Sequence, residues 1–302
     1  MASLIKKGNN MKPNWEISQN ELGEQIKLQI GSCGEIYLGK WEYIPVVIKV
    51  FHSHLHLTNE LITEVEKMLF LRHPNIVNTY AFYKTPFCLI MEYLEGGTLR
   101  EVLDTQLLNW ETRIKYAKQI AYGLCYLHHQ DPSFIHQNLT TNTIMLNKYG
   151  DIKLINFGLF KKVQCEAANH YIEALSYEAP FYEAPEVVKD KEYTIKSDIY
   201  SFGIILWELA SQNRPFVINQ LRPHMFMQTR YNIQLAIQNG IRPPIDVNWP
   251  REYRGMIESC WQPEARHRPT IDGVIEFIEK YEQKILTDAE NLCKTQIKAF
   301  PL

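Results

Sequence analysis

Three stretches of the sequence carry residue types that could do chemistry. Ile30-Gly31-Ser32-Cys33-Gly34-Glu35-Ile36-Tyr37 is a glycine-containing loop. Its glycines would let backbone N–H groups approach a phosphate closely. Lys49 follows in Pro45-Val46-Val47-Ile48-Lys49-Val50-Phe51, and Glu64 follows that in a charged, helix-patterned segment. Farther on, amides and hydroxyls gather at Gln137, Asn138, Thr140 and Thr143, and again at Asn156. Taken singly these signals are weak. Lys49 and Glu64 alone would be ordinary surface charges, and a single glycine-rich loop decides nothing.

The other reactive side chains form no familiar pattern. Cys33, Cys88, Cys125, Cys165, Cys260 and Cys293 are scattered and make no CxxC pair, which argues against a disulfide framework or a zinc site and for reduced thiols. His52, His54 and His56 alternate; they could bind metal, but a solvated loop after a strand is the plainer reading. The net charge of -2 predicts no general attraction to nucleic acid or to an anionic membrane. Apolar runs such as Phe202 to Leu206 fall far short of the ~18 residues a span needs. No signal sequence opens the chain, and Ala2 stands where a myristoylation signal needs glycine. The expected location is cytoplasmic.

The elements that must position these residues change in texture along the 302-residue chain, a length that suggests two lobes or domains. Residues 1–21 are a polar, flexible lead-in. From Ile26 to Val50 the pattern is strand-like, with a buried strand at 45–51. Asn59 to Arg72 reads as a helix with Leu61, Val65, Met68 and Leu69 on one face, ended by His73-Pro74-Asn75. Strands are expected near Val77–Tyr83 and Phe87–Tyr93. After Gly96-Gly97 helices dominate: Trp110 to His128 is amphipathic, and Ile199 to Ala210 is apolar almost all round, as in a buried core helix.

In this order the motifs resemble the protein kinase superfamily, from about residue 22 to 283. The glycine loop matches the later part of the kinase glycine-rich loop. Val46-Val47-Ile48-Lys49 matches the strand lysine that grips phosphates, and Glu64 stands where kinases place that lysine's partner. Met91-Glu92-Tyr93-Leu94 resembles the hinge, with Met91 as gatekeeper. Ile135-His136-Gln137-Asn138-Leu139 stands at the catalytic loop, and Asn156-Phe157-Gly158 at Asp-Phe-Gly. Ala184-Pro185-Glu186, then Lys196-Ser197-Asp198, and finally Arg268-Pro269 follow in order. Trp207-Glu208, Cys260-Trp261 and Gly240-Ile241-Arg242-Pro243-Pro244 look most like the tyrosine-kinase-like branch. Within it, residues 45–51 and 196–209 are similar to the mixed-lineage kinase domain-like pseudokinase, although the lead-in is too short for that protein's helical bundle.

The resemblance implies an α+β, bilobal fold. An antiparallel five-stranded N-lobe with one helix (about 22–93) would precede a helical C-lobe (about 94–283) and a tail (284–302). It implies a nucleotide seat near Gly31, Gly34, Ile36, Val47, Lys49, Glu64, Met91, Glu92, Leu94 and Met145. His136, Phe157, Gly158, Glu186, Asp198 and Arg268 would be structural, with Glu186 and Arg268 forming a buried ion pair.

The departures fall on the chemistry. Asn138 replaces the catalytic carboxylate, and an amide has no useful basicity. Asn156 and Thr143 replace the metal ligands, and magnesium favours anionic oxygen. Gln137 and Thr140 replace two further loop residues. Gln29 stands at the first loop glycine, and Val47 crowds the place where alanine usually meets adenine. The expectation is therefore a pseudokinase with no intact catalytic residue, no metal and no required cofactor. Any ATP binding would be weak and little helped by magnesium, and the partner would be another signalling protein. The alternative is a weak or atypical ATP-dependent protein kinase, for which Asp151 is the nearest carboxylate. Tyr171, Ser176 and Tyr177 could be phosphorylated, and Asn219–Tyr231 could be a docking surface or could pack on the C-lobe.

Overall fold

The computed structural model describes residues 15–31, 34–51, 59–157, 179–215 and 230–299. These form two compact units. One holds the described residues through Gly97 together with those from Met145 to Phe157. The other holds Thr98–Ile144 and the described residues from Ala179 onward.

The first unit is built on an antiparallel sheet in the order β1-β2-β3-β5-β4: β1 (Ile26–Gly31), β2 (Gly34–Trp41), β3 (Ile44–Phe51), β4 (Thr79–Lys84) and β5 (Phe87–Glu92). Side chains alternate between the two faces of a strand. Along β3 this buries Val46 and Ile48 in a cluster with Leu22, Ala81, Tyr83, Cys88 and Ile90. Val47 and Lys49 therefore lie on the opposite face. Register then adds to that face: Lys49 pairs with Ile36 and Leu89, and Val47 pairs with Leu38 and Met91. Helix α1 (Asn59–Phe70) buries Leu61, Val65, Met68 and Leu69, the face expected from the sequence.

Strand β4 begins at Thr79, two residues later than the sequence pattern suggested. The preceding residues are used elsewhere: Val77 N–H donates to Leu154 O, Leu154 N–H donates to Asn75 O, and the Asn75 side chain donates to Ile152 O. These bonds tie residues 75–77 to β7 (Ile152–Leu154), which pairs with β6 (Ile144–Leu146).

The second unit is helical: α2 (Leu99–Thr105), α3 (Trp110–His128), α4 (Pro185–Asp190), α5 (Ile195–Ser211), α6 (Arg230–Gln238), α7 (Arg251–Cys260) and α8 (Ile271–Ala299). Its centre is α5, where Ile199, Phe202, Ile204, Ile205, Leu206 and Leu209 are buried. This helix starts four residues before the apolar run. The Thr194 side chain accepts the Lys196 N–H, and Ser197 closes the capping box. A cap of this type is typically worth ~1 kcal/mol. Helix α5 also approaches α7 closely at Gly203, where a Cβ would lie 2.9 Å from the Cys260 Cβ. Helix α8 runs through residue 283, where the sequence reading began a tail.

Candidate active site

The residues singled out for chemistry fall into two sets, one in each unit.

In the first unit Ile36, Val47, Lys49 and Met91 share one sheet face, as the register above requires. All four are half-buried. Lys49 Nζ donates to Asn156 Oδ1 at 2.9 Å and stands 5.2 Å from the centre of the Phe51 ring. Asn156 is in the left-handed region at φ 59°, which asparagine tolerates better than most residues. Phe157, next to it, is fully buried. Glu64 lies on α1 with Oε1 3.0 Å from Lys67 Nζ. The Glu92 carboxylate accepts from Asn78 N and Nδ2 and from Lys153 Nζ, all within 3.1 Å, and its own N–H donates to Asn78 O. Leu94 is buried, and Met145 is half-buried on β6. Gly31 closes β1. Gly34 has a packing reason of its own, because a Cβ there would fall 2.0 Å from Val50 O.

In the second unit the segment after α3 is fixed by Asp198. Its carboxylate, 1% exposed as a residue, accepts the His136 N–H at 2.8 Å and the Gln137 N–H at 3.0 Å, and lies 2.9 Å from His128 Nε2. Gln137 is held at φ 68°. His136 is fully buried, and burial pushes its imidazole down to about 4, against the pull of the Asp198 carboxylate. Asn138 is half-buried. The Thr143 hydroxyl is spent within its own loop: it accepts the Thr140 N–H at 2.9 Å and donates to Asn138 O at 2.6 Å.

Two further networks of buried charge lie in this unit, and the second reaches the loop at Thr141. Arg268 donates from Nη1 to Glu186 Oε1 at 2.6 Å and to Lys196 O at 2.9 Å. Its Nη2 donates to Glu186 Oε2 at 2.8 Å and to Pro263 O at 3.0 Å, and its Nε to Gln262 O at 2.8 Å. Glu208 on α5 accepts from Arg100 Nη1 at 2.8 Å and from Tyr182 Oη at 2.6 Å, and the Tyr182 hydroxyl lies 3.0 Å from Thr141 Oγ1. Burial pushes the Glu208 carboxyl up to about 7, against both hydrogen bonds and the Arg100 charge. The sequence reading missed this network. Tyr182, Arg100 and Glu208 lie far apart in sequence, and no spacing signals their meeting.

The kinase resemblance implies magnesium, and the donors at the two metal positions do not suit it. Asn156 offers a neutral amide oxygen that already accepts from Lys49, and the Thr143 hydroxyl is committed to backbone. A hard dication favours anionic oxygen. Among the described residues one group of His, Cys, Asp or Glu side chains could hold a metal: Cys125, His129 and Asp272. The sequence reading, which looked for CxxC, did not anticipate it.

Gly158, Tyr171, Ser176, Tyr177, the three alternating histidines and residues 219–229 of the expected docking segment lie outside the described residues. No described helix is long and apolar enough to cross a membrane.

Residues 22–278 match the family of protein tyrosine and serine/threonine kinases. A putative serine/threonine-protein kinase/receptor of Acanthamoeba polyphaga mimivirus is 33% identical over 277 residues, covering 89% of this chain and 16% of the relative. A probable serine/threonine-protein kinase of Dictyostelium discoideum, drkA, is 29% identical over 283 residues, covering 91% of this chain and 42% of the relative. The chain thus spans less than half the length of either relative. The five-stranded antiparallel sheet, the helical second unit and this match agree: the chain belongs to the protein tyrosine and serine/threonine kinase family.

Proposed function

We propose that this chain is a catalytically impaired protein-kinase domain, a pseudokinase that works as a signalling scaffold or allosteric module through binding to another protein. The observation that carries the reading is the pairing of Lys49 with Asn156. The strand lysine donates to a neutral amide, at the position where a kinase needs a carboxylate to hold metal. The loop of the second unit points the same way. Asn138 cannot take a proton from a substrate hydroxyl, a role typically worth ~10²–10⁴ in rate. Thr143 has its hydroxyl turned to its own backbone. Lys49 still offers positive charge beside Ile36, Val47 and Met91, so ATP would bind weakly and gain little from magnesium.

A second reading has its own support. The relatives are named as putative or probable serine/threonine-protein kinases, which favours a weak or atypical ATP-dependent kinase. Calorimetry with ATP, with and without magnesium, together with a phosphorylation assay, separates the two. The pseudokinase reading expects weak, magnesium-indifferent binding and no measurable transfer. It also expects transfer to emerge only when Asn138→Asp, Thr143→Asn and Asn156→Asp are combined, because such residues act as a unit. Tight binding that a chelator abolishes, or wild-type transfer at the rate of the triple variant, would establish the kinase reading instead.

A further inference from the structure

Helices α3 and α8 run against each other in the second unit, and their facing polar residues form a ladder. Lys118 of α3 pairs with Glu282 of α8, and Tyr122 donates to Glu279 at 2.6 Å. At the other end of the ladder stand Cys125 and His129, four apart on one helix face, opposite Asp272 in the first turn of α8. Cys125 Sγ lies 3.5 Å from His129 Nδ1 and 3.6 Å from Asp272 Oδ1, and His129 Nε2 lies 3.5 Å from Asp272 Oδ2.

These separations have a specific meaning. In a tetrahedral zinc centre, Zn–S of ~2.3 Å and Zn–N or Zn–O of ~2.0–2.2 Å place sulfur about 3.5–3.6 Å from its nitrogen and oxygen neighbours. The Cys125–Asp272 edge falls at that spacing, and one donor atom from each of the three side chains lies within 4.8 Å of the others. His129 Nδ1 donates to Cys125 O at 2.9 Å, which leaves Nε2, the nitrogen that faces Asp272, as the metal donor. As plain surface contacts they gain little. The His129–Asp272 pair is more than half exposed, and such pairs contribute ~0–1 kcal/mol. A thiol at 3.5–3.6 Å from each partner adds only weak hydrogen bonding. A thiolate, an imidazole and a carboxylate together are the donor set of a borderline-soft dication rather than of magnesium or calcium.

We propose that Cys125, His129 and Asp272 form a zinc site, completed by water, that staples the C-terminal end of α3 to the N-terminal end of α8. Binding breaks the Cys125 S–H bond and forms S–Zn. The proton goes to solvent, and no electron is transferred. The site lies wholly within the second unit and is independent of the kinase or pseudokinase reading.

The test is zinc titration of the whole chain, stripped beforehand with chelator, read by competition with a chromophoric chelator. Cobalt(II) serves as the spectroscopic probe, with the melting temperature followed in parallel. The expected result is one zinc per chain and a cobalt complex with a thiolate charge-transfer band and tetrahedral visible bands. Zinc should raise the melting temperature, and magnesium should not. Cys125→Ser should abolish the charge-transfer band. His129→Ala and Asp272→Asn should each weaken zinc at least about tenfold. All three positions are at least partly exposed, so the variants should fold. Absence of stoichiometric zinc, or zinc binding unchanged in Cys125→Ser, would overturn the proposal.

Discussion

Replacing Asp198 with alanine should cost more stability than any catalytic role could explain, because its carboxylate organises a loop rather than reacts. In the wild type two backbone N–H groups, of His136 and Gln137, end on its oxygens, and His128 Nε2 lies within 2.9 Å. The site is almost completely closed to water, so none of these groups finds a substitute partner in Asp198→Ala. A buried donor left unsatisfied costs ~1–3 kcal/mol, and breaking a buried charged network ~3–5 kcal/mol in all. Two donors are left here, so both estimates point to about 4 kcal/mol, about a third of a typical domain's stability. Urea unfolding followed by tryptophan fluorescence is suited to this unit, which holds Trp110, Trp207, Trp249 and Trp261. With an m-value of roughly 3 kcal/mol/M, the midpoint should fall by more than about 1 M. Asp198→Asn keeps one acceptor oxygen and should fall between wild type and alanine. A loss below ~1 kcal/mol in the alanine variant would refute the claim that this carboxylate fixes the loop.

Arg268→Lys keeps the charge but loses the fork that meets both Glu186 oxygens and three backbone carbonyls; it should cost ~3–5 kcal/mol by the same urea assay. Stability carried by neutral, buried His136 is complete above its ordinary value of 6.5 and is lost as pH falls toward about 4. Stability carried by protonated Glu208 is complete below 4.5 and is lost as pH rises toward about 7, so the two slopes should oppose one another between pH 4.5 and 6.5. Glu208→Gln should unmask the fall toward acid, and urea midpoints taken across that range would read it. Asn156→Asp should keep the loop and convert an ammonium–amide hydrogen bond from Lys49 into an ion pair. Asn156→Ala loses the bond and pays about 1–2 kcal/mol for a left-handed backbone, so thermal melting should rank aspartate at or above wild type and alanine lowest.

The sheet was legible in the sequence because a half-buried strand alternates. Val46 and Ile48 announced the inward face and left Val47 and Lys49 for the other. The buried helix α5 was legible for a related reason, since apolar residues on all sides leave no polar face. Its true start was not, because the cap at Thr194 lies beyond the apolar run. Strand β4 was placed two residues early because Val77 has strand chemistry, yet its N–H is used by β7, and a pairing across 77 residues leaves no local trace. The pairing of Lys49 with Asn156 and the Tyr182–Glu208–Arg100 network are hidden for the same reason. Motif order could bring the first to notice only by resemblance, and the second by nothing at all.

On the pseudokinase reading, Asn156 stands where a kinase position loses its charge without disturbing the fold. Two properties meet there: a backbone in the left-handed region, and a side-chain oxygen within reach of Lys49. Asparagine keeps both and gives up only the negative charge. The same division runs through the second unit. Asn138 has nearly the volume of aspartate, whereas Asp198, Glu186 and Arg268 support buried hydrogen bonds that no neutral residue of similar shape could replace. Where charge holds backbone in place, losing it costs several kcal/mol and the fold resists the change. On the pseudokinase reading, the charges kept are those that hold buried backbone in place, and such a domain would persist as a binding element.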